Sequence, residues 1–208
     1  MVKIHKFQGD ITKDVANTLR ESIAIDTEAT GLQIPERDKL SLIQICDQNG
    51  NVYIIQPDRK TYKAPNLVKV LEDASILKIG HFLRFDKSAL EYFLKCKVKN
   101  IFDTKIASRI VRTYTDAHGL KNLVQEFCNK SLDKRHGSSD WNKDINDLSD
   151  KQLEYAANDV VYLHKIKTEL EKMLLREKRI DVFEKCLAFL DTRVELDQKG
   201  FKEDIFEH

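Results

Sequence analysis

Ser22-Ile23-Ala24-Ile25-Asp26-Thr27-Glu28 is a short apolar run that closes on two acids one residue apart. Its length and β-branched content predict a buried strand. Side chains i and i+2 share a strand face, so Asp26 and Glu28 project together. Adjacent carboxylates repel each other and ionise comfortably only with a cation between them. A solvated strand end is the plainer reading of so short a pattern, since such patterns recur by chance.

Working outward, Leu40 to Cys46 and Val52 to Ile55 flank Asp47-Gln48-Asn49-Gly50, a hairpin turn signal. With the run at Ser22 these make three antiparallel strands, and Ile4 to Ile11 holds another short one. The pattern then alternates: a helix over Ala64 to Asp73, a strand over Ile76 to Gly80, a helix over Arg84 to Lys95 and a short strand over Val98 to Ile101. Such alternation predicts parallel pairing with crossover helices. After Asp103 the sequence reads as helix and loop. Helices are expected over Asp103 to Tyr114 and Gly119 to Cys128, then a polar loop from Lys130 to Asp147. Ser149-Asp150-Lys151-Gln152 has the form of a capping box. It should open one long helix from Asp150 to about Arg176, followed by another from Ile180 to Gln198 that ends at Gly200. The fold class is α/β, with a mixed sheet of five to six strands flanked by helices and a helical C-terminal part. Residues 1–200 are read as one domain and 201–208 as a tail.

The 208 residues suit a single core, and 41% apolar with 33% charged residues indicates a globular chain. A net charge of +1 argues against a duplex-coating protein. Cys46, Cys96, Cys128 and Cys186 are far apart, which suggests neither a zinc ribbon nor a disulfide framework. Reduced thiols in the cytoplasm are the simplest expectation. The start Met1-Val2-Lys3-Ile4-His5-Lys6 lacks a signal-peptide core, and no apolar run reaches membrane-spanning length.

Three further residues extend the acidic pattern. Asp86 lies near the start of a helix, in His81-Phe82-Leu83-Arg84-Phe85-Asp86, where an acid commonly just complements the dipole. Tyr155 and Asp159 are spaced i, i+4 and share one helix face. That face runs close to an apolar stripe that includes Leu153, Val160 and Leu163, and the small Ala156 and Ala157 allow close packing on a sheet. An inward Asp159 would need a partner. A core tyrosine beside a surface acid is the bland alternative.

Asp-x-Glu, then Asp in an H-x-x-x-x-D context, then Tyr-x-x-x-Asp resembles the DEDDy branch of the DEDD 3′-5′ exonucleases. Ile25 to Leu32 is similar to the first motif, and Leu153 to Leu163 to the third in its ribonuclease D form. Ser139-Asp140-Trp141 also fits ribonuclease D. Two departures stand out. Gly137 occupies a position where glutamine is usual, and Asn142-Lys143 follows Trp141 in place of Arg-Pro. The compact length resembles most the stand-alone nanoRNase C group.

The resemblance implies a ribonuclease H-like exonuclease fold and a hydrolase of short single-stranded RNA, dinucleotides above all, that releases 5′-mononucleotides. It implies two divalent cations, Mg²⁺ or Mn²⁺, held by Asp26, Glu28, Asp86 and Asp159, with Tyr155 orienting water. It also implies a homo-oligomer, an octamer in that group. By the same resemblance Thr27, Gly31 and Leu32 would meet the terminal nucleotide, with Leu32 as a wedge or else a buried loop leucine. His81 would contact sugar or phosphate, or be a core histidine. Lys134, Arg135 and His136 would meet a 5′ phosphate, or form a solvated charge run. Trp141 reads as packing. Phe201, Ile205 and Phe206 give the tail an apolar character suited to its own core or a neighbouring subunit. The rivals are processing of longer structured RNA in the manner of ribonuclease D, a DNA exonuclease of the same branch, and a non-catalytic nucleic-acid-binding module.

Overall fold

The computed structural model describes residues 2–34, 37–132, 140–201, 203 and 205–206. Six strands form one mixed sheet: β1 (Lys3–Gln8), β2 (Ser22–Ala29), β3 (Leu40–Cys46), β4 (Asn51–Gln56), β5 (Leu77–Gly80) and β6 (Ile101–Asp103). Their spatial order is β1-β4-β3-β2-β5-β6. The central strands β2, β3 and β4 pair antiparallel, as the hairpin signal predicts. Parallel strands flank them: β1 beside β4, and β5 then β6 beside β2. Gly50 closes the β3–β4 turn at φ +80°, a conformation glycine adopts without a Cβ clash.

The alternation of β2 and β3 sorts the core into two layers. Ala24, Leu42, Cys46, Val52 and Ile54 pack on one face under α4 (Thr104–Val111), α5 (Leu120–Cys128), α6 (Asp150–Asn158) and α7 (Leu163–Arg176). Ile23, Ile25, Ile43, Ile45 and Ile55 pack on the other under α1 (Lys13–Thr18), α2 (Pro65–Glu72) and α3 (Leu83–Leu94). The last helix, α8 (Ile180–Gln198), reaches both layers: Phe183 joins the first cluster and Leu190 the second.

Three expectations need correction. The long helix from Asp150 breaks after Asn158, and residues 159–162 form turns before α7 begins. Val160 and Val161 N–H groups both bond the Ala157 carbonyl, so the chain tightens where β-branched residues follow an aspartate. The last strand lies at Ile101–Asp103, not from Val98. Val98 is instead buried, with its N–H given to Glu91 and its carbonyl taken by Lys87. The helix expected from Asp103 starts at Thr104 and stops at Val111, with Asp103 as its N-cap. The short α1 carried no signal strong enough to anticipate.

The capping box forms as expected, with Ser149 accepting from Gln152 N–H and the Gln152 side chain accepting from Ser149 N–H. It fixes the start of α6 and so the direction in which Tyr155 points.

Candidate active site

β2 pairs with β5 only as far as Ala24 opposite Ile79. Past that point β2 continues alone on that side, carrying Asp26 and Glu28 into a cleft above the end of β5. On its other side it remains paired with β3, with Asp26 opposite Gln44 and Glu28 opposite Leu42, up to an irregularity at Glu28/Ala29. Both acids continue the face of Ala24, as strand alternation requires. The cleft therefore opens where β2 outlasts its parallel neighbour, over the helices of the first core layer.

Asp159, the C-cap of α6, faces the pair across this gap. One carboxylate oxygen from each of Asp26, Glu28 and Asp159 lies within 4.8 Å of the others. Asp86 approaches from α3. It is only 4% exposed, and the Thr27 hydroxyl donates to its Oδ1 at 2.6 Å. The structure thus brings together all four acids of the sequence pattern. Tyr155, one turn before Asp159, stacks at an angle on Trp141 with ring centroids 6.2 Å apart, and its hydroxyl hydrogen-bonds Asp159.

Electrostatics mark the cluster. Burial, then Asp86, Asp159 and Glu28, raise the Asp26 carboxyl well above the ordinary carboxylate range. Burial and the Asp159 and Asp86 charges push Glu28 up to about 9. Burial lifts Asp86 to about 7 against the lowering pull of the Thr27 hydrogen bond. The Tyr155 phenol is raised by burial and by Asp159, Glu28 and Asp26. Every shift opposes negative charge, which is the signature of a site whose compensating charge comes from outside the protein. The donor set is all hard oxygen, suited to Mg²⁺ or Mn²⁺ rather than zinc.

The remaining predicted residues fall into three groups. Thr27 and His81 sit beside the acids. Thr27 is buried against Asp86, while His81 lines the cleft with Nδ1 2.9 Å from the Thr104 hydroxyl. Gly31 and Leu32 form the rim. A Cβ on Gly31 would lie 2.4 Å from the Asp38 carboxylate, and Leu32 is 84% exposed, which excludes the buried-leucine reading. Lys134, Arg135 and His136 lie outside the described residues. Trp141 is buried, in keeping with a packing role, with one edge on the cleft.

Sequence reasoning missed Asp103 and Phe82. Asp103 is 1% exposed and accepts N–H bonds from Phe82, Leu83, Lys105 and Ile106, tying the start of α3 to the start of α4. An Asp-Thr pair before a helical run was the available signal. Phe82 stands at the mouth at φ +67°, and nothing in its sequence context signals that.

A family model described as 3′-5′ exonuclease matches residues 2–175. Among solved structures, Brucella melitensis NrnC bound to pGG is 44% identical with a TM-score of 0.93 over all of both chains. The same protein with bound Mg²⁺ gives 0.91 at 44% identity over 99% of both. Among curated proteins, ribonuclease D of Gluconacetobacter diazotrophicus is 32% identical over 87% of this chain and 45% of its own length. DNA polymerase I of Aquifex aeolicus is 35% identical over 72% of this chain and 24% of its own. The chain thus spans less than half the length of these curated relatives. Its sheet order and flanking helices are those of the ribonuclease H-like exonuclease fold. By sequence match, fold and end-to-end likeness, the chain belongs to the 3′-5′ exonuclease family, in the ribonuclease D-like branch that includes NrnC.

Proposed function

We propose that the chain is a 3′→5′ exoribonuclease that hydrolyses short oligoribonucleotides, dinucleotides above all, to 5′-mononucleotides, with two divalent cations. The observation that carries this reading is the convergence of Asp26, Glu28 and Asp159, with Asp86 behind, at one cleft wall. A binding module has no use for carboxylates set against a phosphate, since they would repel it. The short-RNA reading is supported by the likeness to NrnC, which was solved with pGG, and cation use by its Mg²⁺ form.

Asp26, Glu28, Asp86 and Asp159 would hold the cations. When bound, the ions supply charge neutralisation for the phosphate and acidify water. The Tyr155 hydroxyl, fixed by Trp141 and the α6 cap, orients the attacking water from the Asp159 side. It acts there as a hydrogen-bond partner of that water. Thr27 keeps Asp86 in place through its hydroxyl. His81, Gly31 and Leu32 line the space where substrate would lie.

We further propose that residues 1–200 act as one domain and that the tail makes a subunit contact in a cytoplasmic homo-oligomer, an octamer by analogy with the group. Phe201, Ile205 and Phe206 are each at least half exposed, and Phe189 of α8 lies 5.7 Å from Phe206 between ring centroids. Among the described residues the four cysteines are free, and no helix is long and apolar enough to cross a membrane.

Four outcomes are expected. Purified protein with Mg²⁺ should cut end-labelled diribonucleotides at least as fast as longer RNA, from the 3′ end, with EDTA abolishing turnover. A steep preference for long RNA or for DNA would overturn the substrate reading. Asp26→Asn should lower kcat by at least about 10³-fold. It should also raise the ion-free Tm at pH 8, by about 2–4 °C for each kcal/mol of repulsion relieved. The sign follows from linkage. Glu28, raised from 4.5 to about 9, and Asp26, raised likewise, bind more protons folded than unfolded. Ion-free stability therefore falls as pH rises through that window, and the stabilisation by Asn should shrink toward pH 4. A lower Tm at pH 8 would contradict the repulsion argument. Tyr155→Phe should cut kcat by about 10²-fold with KM little changed, and a pure KM effect would make the tyrosine a binding residue. A chain ending at Gly200 should show a lower mass by light scattering, and an unchanged mass would remove the tail contact.

A further inference from the structure

The segment that brings Trp141 to the cleft is fastened to the end of β4. That strand ends at Gln56, which is only 8% exposed. The Gln56 amide nitrogen donates to the Lys143 carbonyl at 2.8 Å, and its amide oxygen accepts the Ile145 N–H at 3.0 Å. One side chain thus pairs with two backbone groups, as a neighbouring strand would. Three residues on, Arg59 adds a fork. Its Nη2 donates to the Trp141 carbonyl at 2.7 Å and its Nη1 to the Asn142 carbonyl at 2.8 Å. Gln8, the last residue of β1, donates to the Asp144 carboxylate at 2.7 Å.

The indole has no comparable anchor of its own. Trp141 is buried, yet its Nε1 hydrogen finds no acceptor among the described residues. Its ring meets Tyr155 by an angled stack, and stacking alone fixes a ring less sharply than directional bonds do. The Arg59 fork acts on the Trp141 peptide itself, so it sets the point from which the ring projects. The turn that presents Arg59 is tied in its turn. Asp58 accepts from the Lys60 N–H at 3.0 Å and the Thr61 hydroxyl at 2.8 Å, and the Tyr62 hydroxyl donates to the Leu40 carbonyl at 3.1 Å. Contacts therefore run unbroken from β4 through Arg59 and Trp141 to Tyr155. Asn142-Lys143, the departure noted in the sequence, lies inside this clamp and supplies two of its carbonyls.

We infer that Arg59 is a positioning residue for the proposed hydrolysis: with Gln56 it seats the Trp141 ring against Tyr155 and so places the tyrosine hydroxyl beside Asp159. Orientation is costly to lose, since a displacement of about 1 Å can cost about 10²-fold in rate. Arg59 lines an open hollow of about 420 Å³ with Gln8, Gln56, Asn142 and Lys143, apart from the acids. The rival role for a cation there is to draw anionic substrate toward the protein. Geometry favours the clamp, because both terminal nitrogens of the guanidinium are spent on backbone carbonyls. The inference rests on the exonuclease reading and extends it to a residue that does not touch the reacting groups.

The test uses Trp141, the only tryptophan of the chain, as its reporter. Arg59→Met keeps an apolar stem and removes the fork, whereas Arg59→Lys keeps the charge but cannot span two carbonyls. With Mg²⁺ and a diribonucleotide, Arg59→Met should lower kcat by about tenfold and change KM by less than about twofold. Its tryptophan emission should move to longer wavelength and be quenched more readily by acrylamide. In a Tyr155→Phe background the kcat penalty should shrink to about twofold or less, because Arg59 acts through that hydroxyl. A purely structural role would lower Tm without this coupling. Arg59→Lys should follow Arg59→Met on both readouts. An unchanged kcat, an equal penalty in both backgrounds, or full activity in Arg59→Lys would overturn the proposal. Should circular dichroism show that Arg59→Met misfolds, Arg59→Lys decides by the same cycle. A chain without turnover whose emission still shifts on Arg59→Met would fault the exonuclease reading and keep the clamp on Trp141, whereas turnover that Arg59→Met leaves untouched would do the reverse.

Discussion

Four carboxylates directed at one cleft from three separate elements repel one another, and the interior around them weakens that repulsion far less than water would. Asp26, Glu28, Asp86 and Asp159 could each be accommodated singly as a capped or solvated acid. Burial, reinforced by the neighbouring charges, raises the proton affinity of Asp26 and Glu28, and burial raises that of Asp86. Folding therefore has to hold a destabilising arrangement in place, and much of the surrounding structure can be understood as what holds it. The sheet keeps Asp26 and Glu28 on one face. The α6 capping box aims Asp159, and Thr27 bonds Asp86. Positive charge placed among the carboxylates would relieve this repulsion, which is what the proposed ion-dependent hydrolysis requires.

Buried polar ties around the cleft serve the same end. Asp103 gathers four N–H groups from the starts of α3 and α4, which fixes the helix that carries Asp86. On α3 itself, Lys87 is almost wholly buried and ion-pairs with Glu91 and with Asp191 of α8. One turn away, Arg84 pairs with Asp197 of the same helix. Net stabilisation from such pairs is modest once desolvation is counted. Their geometric effect is larger, because two charge contacts at different heights fix the rotation of α3 against α8. The last helix thus bears on the position of a site residue more than a hundred positions earlier in the chain.

Much of this was legible in the linear order of residues. Strand alternation put Asp26 and Glu28 on one face, the Asp47–Gly50 turn set the antiparallel centre, and Ser149 with Gln152 marked the start of α6. These are local rules, with periods of two or 3.6 residues and caps that span three, so neighbours in the chain suffice to read them. The same locality explains the errors. The break after Asn158, the shift of β6 to Ile101–Asp103 and the early stop of α4 at Val111 depend on packing and on N–H bonds that neighbouring residues do not reveal.

By itself the sequence determined which residue types could cooperate: hard oxygen donors in a recurring order, a tyrosine one turn from the last of them, and the periodicities that make strands and helices of their carriers. Only the tertiary structure decided that β2 outlasts β5 so that its acids open into a cleft, and that Thr27 turns inward to Asp86 while Leu32 stays in solvent. The reason is physical. Local propensity acts over a few residues, whereas a cleft is defined by where elements distant in sequence stop, and those ends are set by burial and by hydrogen bonds between segments that meet only in the folded chain.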